Sequence, residues 1–498
     1  MSSSIHLIQW LPMIFLFLVG SITAKRIHIP RLNPFGPSSM FEDSLMINLP
    51  ATPISEDFQV FYYNQTLDHF NYRPESYTTF PQKYVINSKY WGGANVSAPI
   101  FAYLGAESPL GTNLGFIGFM SDNAIHFNAL LLYMEHRYYG ESIPFNSTGE
   151  DSTNATKLGY FSSAQAIADY AEIILHIKDK LQAQKSPVIV IGASYGGMLA
   201  SWFRLKYPHV ALGALASSAP ILYFDDITPS DGYYSVVSKD FRETSETCFQ
   251  TIKQSWGEID KVASQPNGLS ILTEKFKLCS PLDDPFYLKD SLDTLCCATA
   301  QYNGPPGKRL ASVCGAIDKA ASAGADILDS VQAGVVAAKG NLSCYSVQKS
   351  NASEYYGGWD WQSCTEMVFS IAHGNDSMSM FPSDTYDSNA LIEKCNRKYG
   401  ISPRPHWVTA YYGGQDIKSI LQMFGSNIIF SNGLRDPYSI AGVLEDLSES
   451  LRAVYTVNGS HCVDMHPANE TDPEWLVAQR KIEVKIVEEW IAEYNAHL

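Results

Sequence analysis

The stretch from residue 187 to residue 206 constrains the fold more than any other part of the chain. It begins with the apolar run PVIVI (187–191), passes through GASYG (192–196), and ends in a helical pattern from Met198 to Lys206. A short β-branched run without polar alternation indicates a strand that is buried on both faces, as in parallel sheets covered by helices. Because parallel strands need long crossovers, which are usually helices, the stretch predicts an α/β fold.

Strand and helix patterns alternate along most of the chain. A helix is expected to begin near Ser162, because apolar residues recur at spacings of three and four from Ile167 to Leu181. An amphipathic helix, Glu474–Tyr494, closes the chain. Such alternation favours a mostly parallel sheet. Further strands are expected at Lys83–Ile86, Pro99–Leu104, Ala129–Met134, Leu212–Ala216, Asn427–Phe430 and Ala453–Val457.

The middle of the chain has a different character. Residues 223–404 are rich in Ser and Ala, have helical patterns and contain eight of the nine Cys. Within them, residues 315–340 form a low-complexity Ala/Gly/Val helical pattern. We interpret 223–404 as a helical insertion, so that residues 56–222 and 405–498 are the two parts of one α/β core.

The N-terminus predicts export. Residues 7–24 form an apolar run that ends in small residues, which is typical of a signal peptide (1–24) cleaved after Ala24. A signal anchor is the alternative, although the run is short for a membrane span of about 20 residues. The Pro- and Ser-rich segment 25–55 is expected to be a mobile, propeptide-like arm. No later segment is apolar enough to span a bilayer, so no stable membrane anchor is expected after signal cleavage.

The composition also agrees with export. The formal net charge of −16, without any basic run, argues against nucleic-acid binding. The nine Cys predict disulfides in an oxidising compartment, and no Cys or His spacing resembles a zinc site, so neither a metal nor another cofactor is expected. We expect a secretory-pathway protein of the lysosome, vacuole or extracellular space. Glycosylation is expected at nine Asn-x-Ser/Thr sequons: Asn64, Asn95, Asn146, Asn154, Asn341, Asn351, Asn375, Asn458 and Asn469.

Three residues suggest nucleophilic catalysis. Ser194 lies in a Gly-flanked turn between a strand and a helix, which can present a serine hydroxyl for attack. Such a serine needs a base and an acid, which in folds of this kind follow later in the chain, each after a strand. Asp436 follows the predicted strand NIIF (427–430), and His461 follows AVYTV (453–457). We therefore expect Ser194, Asp436 and His461 to form a charge relay.

Other residues are candidates for roles around this relay. The backbone N–H of Tyr195 is one expected oxyanion donor, and the loop containing Ala106 and Glu107 is expected to supply the second. Glu107 either binds a substrate amino group or shapes that loop. Met198 and Tyr438 either line a substrate pocket or belong to the core. A buried ion network is expected from three further residues, Glu135, Arg137 and Glu141.

Several long blocks make the chain similar to a known family. They include EHRYYGES (135–142), GASYGGMLASWFRLKYPH (192–209), SPRPHW (402–407), SNGLRDPYS (431–439) and GSHCVD (459–464). The chain resembles the lysosomal prolyl (Pro-X) carboxypeptidase and dipeptidyl-peptidase family of serine peptidases over roughly residues 58–498. The resemblance implies an α/β-hydrolase core with a helical cap, and it places the family's catalytic Ser, Asp and His on Ser194, Asp436 and His461.

The resemblance also implies an activity. The family cleaves short peptides beside proline, and the blocks are more similar to the carboxypeptidase branch, which releases a C-terminal residue that follows Pro. It further implies a homodimer and the disulfide pairs Cys248–Cys314, Cys279–Cys344 and Cys364–Cys395, with Cys296, Cys297 and Cys462 unassigned. The alternatives are removal of N-terminal dipeptides, an acyl esterase, and a non-catalytic relative.

The chain departs from the family's pattern at three positions near the relay. Tyr438 stands where the family usually has Trp, and Cys462 stands where the carboxypeptidases often have a second His. Arg435 directly precedes Asp436, so it would compete with His461 for the carboxylate if it faced Asp436. These departures bear on the preference for proline and on the pH profile.

Overall fold

The computed structural model describes Leu32 and residues 57–498, except 112–113, 115–116, 146–152, 306, 348–356 and 376. The predicted signal peptide (1–24) lies outside the described residues. So does the predicted arm (25–55), apart from Leu32.

In the described part of the chain, eight strands form one sheet in the order β1-β2-β4-β3-β5-β6-β7-β8. The six strands from β4 to β8 in that order run parallel, whereas β1 and β2 are antiparallel to their neighbours. The predicted α/β class with a mostly parallel sheet is therefore confirmed. The strands are β1 Gln59–Thr66, β2 Thr79–Asn87, β3 Ile100–Leu104, β4 Leu130–Met134, β5 Val188–Ala193, β6 Gly213–Ser217, β7 Ile428–Gly433 and β8 Leu451–Thr456.

Helices cover both faces of the sheet, which explains the apolar strands. Every residue of β3, β4, β5, β6 and β7 is buried. The edge strand β1, which the sequence patterns did not predict, instead exposes Val60 and Tyr62. The helices are α1 Gly118–Phe127, α2 Ala155–Leu158, α3 Ser163–Lys180, α4 Tyr195–Lys206, α5 Gly232–Thr244, α6 Glu246–Ala263, α7 Gly268–Lys275, α8 Pro285–Gln301, α9 Arg309–Ser322, α10 Ile327–Lys339, α11 Gly357–Thr365, α12 Ser388–Tyr399, α13 Trp407–Tyr412, α14 Ile417–Phe424 and α15 Glu474–Ala496.

The helices α5 to α14 lie between β6 and β7 in the chain, where the sequence places an insertion. Its predicted limits, 223 and 404, stay predictions. The helical pattern over 315–340 corresponds to two helices, the end of α9 and all of α10. The chain turns between them at Gly324 (φ +85°), and the Asp326 side chain caps α10 by accepting a hydrogen bond from the Asp329 N–H.

Three disulfide bonds lie in this region, in the same three pairs that the resemblance implied. Cys248–Cys314 joins α6 to α9, and Cys364–Cys395 joins α11 to α12. The third is Cys279–Cys344. Cys296, Cys297 and Cys462 are buried free thiols.

Two surface properties bear on export. The seven sequon asparagines that the structure describes are all exposed, whereas Asn146 and Asn351 lie outside the described residues. Glycosylation itself stays a prediction. None of the described helices combines the length and the apolar character needed to cross a bilayer.

Candidate active site

Ser194 lies in a strained turn between β5 and α4. Its backbone has φ 60° and ψ −122°, a region that non-glycine residues rarely occupy. The neighbouring glycines make the turn possible, because a Cβ at Gly192 would lie 1.9 Å from the Gly196 carbonyl oxygen. A Cβ at Gly196 would lie 2.8 Å from the Leu104 carbonyl oxygen. The Ser194 N–H donates to the carbonyl of Ser217, at the end of β6.

The three predicted catalytic side chains meet at the carboxyl ends of three parallel strands. Nε2 of His461 lies 2.9 Å from Oγ of Ser194, and Nδ1 lies 2.7 Å from Oδ2 of Asp436. All three side chains are buried. This is the geometry in which a histidine takes a serine proton while a carboxylate fixes the imidazole tautomer.

Asp436 is held in the loop after β7 and is free of competition from Arg435. Its Oδ1 accepts the backbone N–H of Tyr438 at 3.0 Å, which leaves Oδ2 for His461. The Arg435 guanidinium turns instead to the inserted helix α5, where it lies 3.2 Å from Glu243 and 3.8 Å from Asp240. The departure at Arg435 therefore does not weaken the contact between Asp436 and His461.

His461 is poised to carry a positive charge. Burial lowers its pKa, but the Asp436 carboxylate and the contact with Cys462 outweigh burial and raise the pKa of His461 well above its ordinary value. The rings of Tyr302 and Tyr438 each lie with their centroids 5.9 Å from the imidazole. These contacts exclude water around the ring.

The inserted helices help to hold the loop that carries His461. The His461 N–H donates to the carbonyl of Gln301, the last residue of α8, at 3.0 Å. The Ser218 hydroxyl accepts the N–H of Cys462 at 2.9 Å, and the Ser460 hydroxyl accepts the N–H of Gly304 at 2.9 Å. The sequence did not predict the roles of Gln301 and Ser218. Both residues are far from His461 in the chain, and no local sequence pattern indicates a contact between segments so distant.

The predicted oxyanion elements lie next to the nucleophile. Tyr195 is the first residue of α4, so its backbone N–H has no partner within the helix. The loop after β3 packs on the same turn, since a Cβ at Gly196 would lie 3.6 Å from Cβ of Ala106. The Tyr195 side chain serves another purpose, because its hydroxyl accepts a hydrogen bond from Gln362 at 2.7 Å. The oxyanion role of these N–H groups stays a prediction.

The candidate pocket residues surround the relay. Met198 is fully buried in the main hydrophobic core, whereas Tyr438 is buried with its ring against His461. Burial raises the pKa of Tyr302 and of Tyr438, and the negative charge of Glu107 adds to this effect at both, so Glu107 lies near the two rings that contact His461.

Leu32 occupies the site as well. This residue is fully buried, and its carbonyl oxygen lies 3.2 Å from Nε2 of His461. The same nitrogen faces Oγ of Ser194. When Nε2 is protonated it can donate to the Leu32 carbonyl, and in that state it cannot accept the Ser194 proton.

The predicted ion network of Glu135, Arg137 and Glu141 is wrong. Arg137 is buried against Asp169 of α3, which its Nε contacts at 2.7 Å. Glu135 accepts hydrogen bonds from neighbouring backbone and hydroxyl groups instead, and the half-exposed Glu141 pairs with Lys83. The physical reason is distance along the chain, since no local spacing could identify Asp169 as the partner of Arg137.

Among the described residues, no group of three or more His, Cys, Asp or Glu side chains is arranged to hold a metal ion. The chemistry that the site supports is that of the relay. It combines a nucleophile, a base and an acid in a buried site, an arrangement that suits acyl transfer from an ester or a peptide.

Comparisons with known proteins agree with this chemistry. The chain is 35% identical to the lysosomal Pro-X carboxypeptidases of Pongo abelii and of Mus musculus, over 90% of this chain and 92% of each relative. It is 29% identical to the thymus-specific serine protease of Mus musculus, over 86% of this chain and 87% of that protein. The model of the serine carboxypeptidase S28 family matches residues 65–483. Because this match spans well over half of the chain, the protein belongs to the serine carboxypeptidase S28 family.

Proposed function

We propose that the protein is a serine exopeptidase that cleaves short peptides beside proline and releases the C-terminal residue that follows Pro. The observation that carries the proposal is the contact of His461 with both Ser194 and Asp436 in a buried site. Family membership and the Pro-X carboxypeptidase relatives support the choice of substrate. Those relatives are lysosomal, which supports a glycoprotein of the secretory pathway that works in an acidic compartment.

The mechanism follows from the geometry. His461 takes the proton of Ser194 as Oγ attacks the carbonyl carbon of proline, and Asp436 stabilises the imidazolium that forms. The backbone N–H of Tyr195 and one from the loop 105–107 stabilise the oxyanion. His461 then gives its proton to the departing amine, which leaves as the free C-terminal residue. Water, activated by His461, hydrolyses the prolyl ester on Ser194.

The test is an activity assay from acidic to neutral pH with blocked peptides that carry proline next to the C-terminal residue. A parallel set carries proline second from a free N-terminus, and a third set consists of simple esters. Release of the single C-terminal residue, lost in Ser194→Ala, is the expected result. Release of N-terminal dipeptides would show the sister activity, turnover of esters alone would show an esterase, and undiminished turnover by Ser194→Ala would exclude Ser194 as nucleophile.

A further inference from the structure

Two buried carboxyl groups lie directly behind the catalytic relay and take no part in it. Asp464 follows His461 by three residues, and Glu483 belongs to α15, which packs against β6 and β8. Their side chains are almost completely buried (2% and 0% exposed). Burying an ionised carboxylate is costly unless a cation or several donors compensate, so each group needs a partner.

Two serines on adjacent strands hold the carboxyl groups side by side. The Ser217 hydroxyl on β6 donates to Oδ1 of Asp464 at 2.6 Å, and the Ser431 hydroxyl on β7 donates to Oε1 of Glu483 at 2.7 Å. Ser217 and Ser431 are directly paired in the parallel register of β6 and β7. Neighbouring strands lie about 4.8 Å apart, so the two hydroxyls bring the carboxyl groups that accept from them side by side.

The second oxygen of each carboxyl group has no donor. Among the described residues, neither Oδ2 of Asp464 nor Oε2 of Glu483 receives a hydrogen bond. The nearby Arg480 compensates only in part. Burial raises the pKa of both carboxyl groups and the positive charge of Arg480 opposes that rise, but its N–H groups donate to backbone carbonyls, including that of Asp464, and to Asp472. Two adjacent buried acceptors without a donor are explained by a proton between them, since two carboxylates buried side by side disfavour each other's ionisation.

The pair is connected to the catalytic residues through the same two serines. The Ser217 carbonyl accepts the Ser194 N–H at 2.8 Å, and the Ser431 carbonyl accepts the Ser218 N–H at 2.7 Å. Ser218 in turn accepts the N–H of Cys462 through its hydroxyl. Asp464 therefore ties the loop of His461 to the end of β6, where the Ser217 carbonyl also holds the turn of Ser194.

We propose that Asp464 and Glu483 share one proton, and that this singly protonated pair is a positioning element that holds His461 in line with Ser194. The titratable and charged groups around it are His461 and Cys462 on the loop and Arg480 on α15. Loss of the shared proton leaves two adjacent buried carboxylates, which repel each other and release the loop. Burial, reinforced at Glu483 by the charge of Asp464, raises the pKa of both carboxyl groups, so the proton is retained in mildly acidic solution.

The test replaces the proton that can dissociate with an amide N–H, which donates at every pH. In Glu483→Gln, the amide supplies a donor to Asp464 at every pH, so the alkaline limb of the kcat/KM profile should move up by at least about one pH unit. The folding equilibrium constant of the wild type should fall by up to about tenfold per pH unit through the titration, and this dependence should flatten in the variant. Asp464→Asn should have the same two effects, whereas Glu483→Leu, which cannot donate, should lose kcat across the profile.

Asp472→Asn is the matched control, because it removes a carboxylate from the same neighbourhood that is already paired with Arg480. Its alkaline limb should coincide with that of the wild type. The proposal is overturned if both amide variants keep the wild-type alkaline limb and stability profile, or if neither folds, since an amide provides the hydrogen bond in question. Only the kcat/KM measurement rests on the proposed function. The unfolding curves test the shared proton without an activity assay, so they show whether this proposal or the proposed function is wrong.

Discussion

At the scale of single residues, the strained backbone of Ser194 lowers the stability of the fold but positions the hydroxyl for activity. A non-glycine residue at positive φ costs about 1–3 kcal/mol unless the surroundings impose it. Here β5, α4 and the hydrogen bond to Ser217 impose it. The turn therefore stores free energy so that Oγ can point at His461.

We expect Ser194→Gly to lose peptidase activity and to gain about 1 kcal/mol in free energy of unfolding, because glycine adopts the turn without strain. Ser194→Ala should lose activity without this gain, since alanine retains the Cβ. Denaturant unfolding of the two variants side by side provides the measurement. Equal stabilities would show that the turn is unstrained.

Asp436 and Arg435 are neighbours in sequence but should differ greatly in their effects. Asp436→Asn removes the acceptor that fixes His461 and should lower kcat by about 10⁴-fold. Arg435→Gln removes a partly exposed partner of Glu243 and Asp240 and should change kcat only a few-fold. Steady-state kinetics at the pH optimum measures both. A loss of several hundred-fold in Arg435→Gln would contradict the placement of its side chain away from Asp436.

The sequence was sufficient for the relay but not for its surroundings. Ser194, Asp436 and His461 were identified because each follows a strand, and the carboxyl ends of parallel strands meet at one edge of a sheet. The partners Gln301 and Leu32 could not be found in this way, because they reach His461 from an insertion and from the N-terminal segment. Contacts between distant segments depend on packing, which leaves no local periodicity.

At the scale of chain elements, Leu32 lies where a substrate would have to approach His461. Its carbonyl faces Nε2 of His461, and the residue is fully buried. We expect Leu32→Asp to lower KM by on the order of tenfold with kcat unchanged, because burying a charge is unfavourable and removing a buried leucine forfeits about 1.5–3 kcal/mol. Kinetics with a short proline peptide measures the change.

Leu342→Asp is the control for this comparison, since it places the same charge on an exposed leucine of the insertion. Its KM should equal that of the wild type. An unaltered KM in Leu32→Asp would mean that Leu32 does not obstruct substrate.

The disulfide between α11 and α12 should contribute to the stability of the insertion. Cys364 and Cys395 close a loop with a sequence separation of 31 residues, and both side chains are fully buried. Replacement of both by Ser should lower the free energy of unfolding by about 2–4 kcal/mol, because the unfolded chain regains the freedom that the bond removes. Denaturant titration measures this loss. A loss below about 0.5 kcal/mol would indicate that the bond constrains the unfolded state very little.

Strands and helices that are buried were easier to predict from the sequence than exposed ones. The central strands were found because their residues are apolar on both faces, whereas β1 is an edge strand with a mixed pattern of burial. The helix pattern over 315–340 did not reveal the break between α9 and α10, since Ala and Gly fit both a helix and a turn. An edge position and a turn within low-complexity sequence are set by tertiary contacts.

At the scale of the whole molecule, buried groups that retain protons dominate the response to pH. Burial raises the pKa of Glu366 and of Asp240 to about 7 in each case. Since both pKa values lie above those of the unfolded chain, the stability that these groups contribute is complete below about pH 4 and is lost as the pH rises through about 7.

Two histidines act in the same direction. Burial lowers the pKa of His69 and His373, but hydrogen bonds at 2.7 Å to Asp169 and Asp293, respectively, reverse this effect and raise both values. Their contribution is complete below about pH 6.5 and is lost as the pH rises through the folded values. Burial lowers the pKa of His136 and of His466 to about 4, and their opposing contribution is lost only as the pH falls below about 6.5.

Between pH 6.5 and 8, therefore, the protein loses the stability contributed by the groups with raised pKa values. His136 and His466 do not offset this loss in that interval. We expect the melting temperature to fall by several degrees across this interval, as measured by calorimetry in buffers of constant ionic strength. Glu366→Gln should make the decline shallower, because the amide has no proton to lose. Asp360→Asn is the control: although burial opposes ionisation there, Lys394 and Lys398 lower the pKa of Asp360 to about 2, so the variant should keep the wild-type decline. A melting temperature at pH 8 equal to that at pH 6.5 would contradict the assignment, and would mean that these buried groups exchange their protons without consequence for folding.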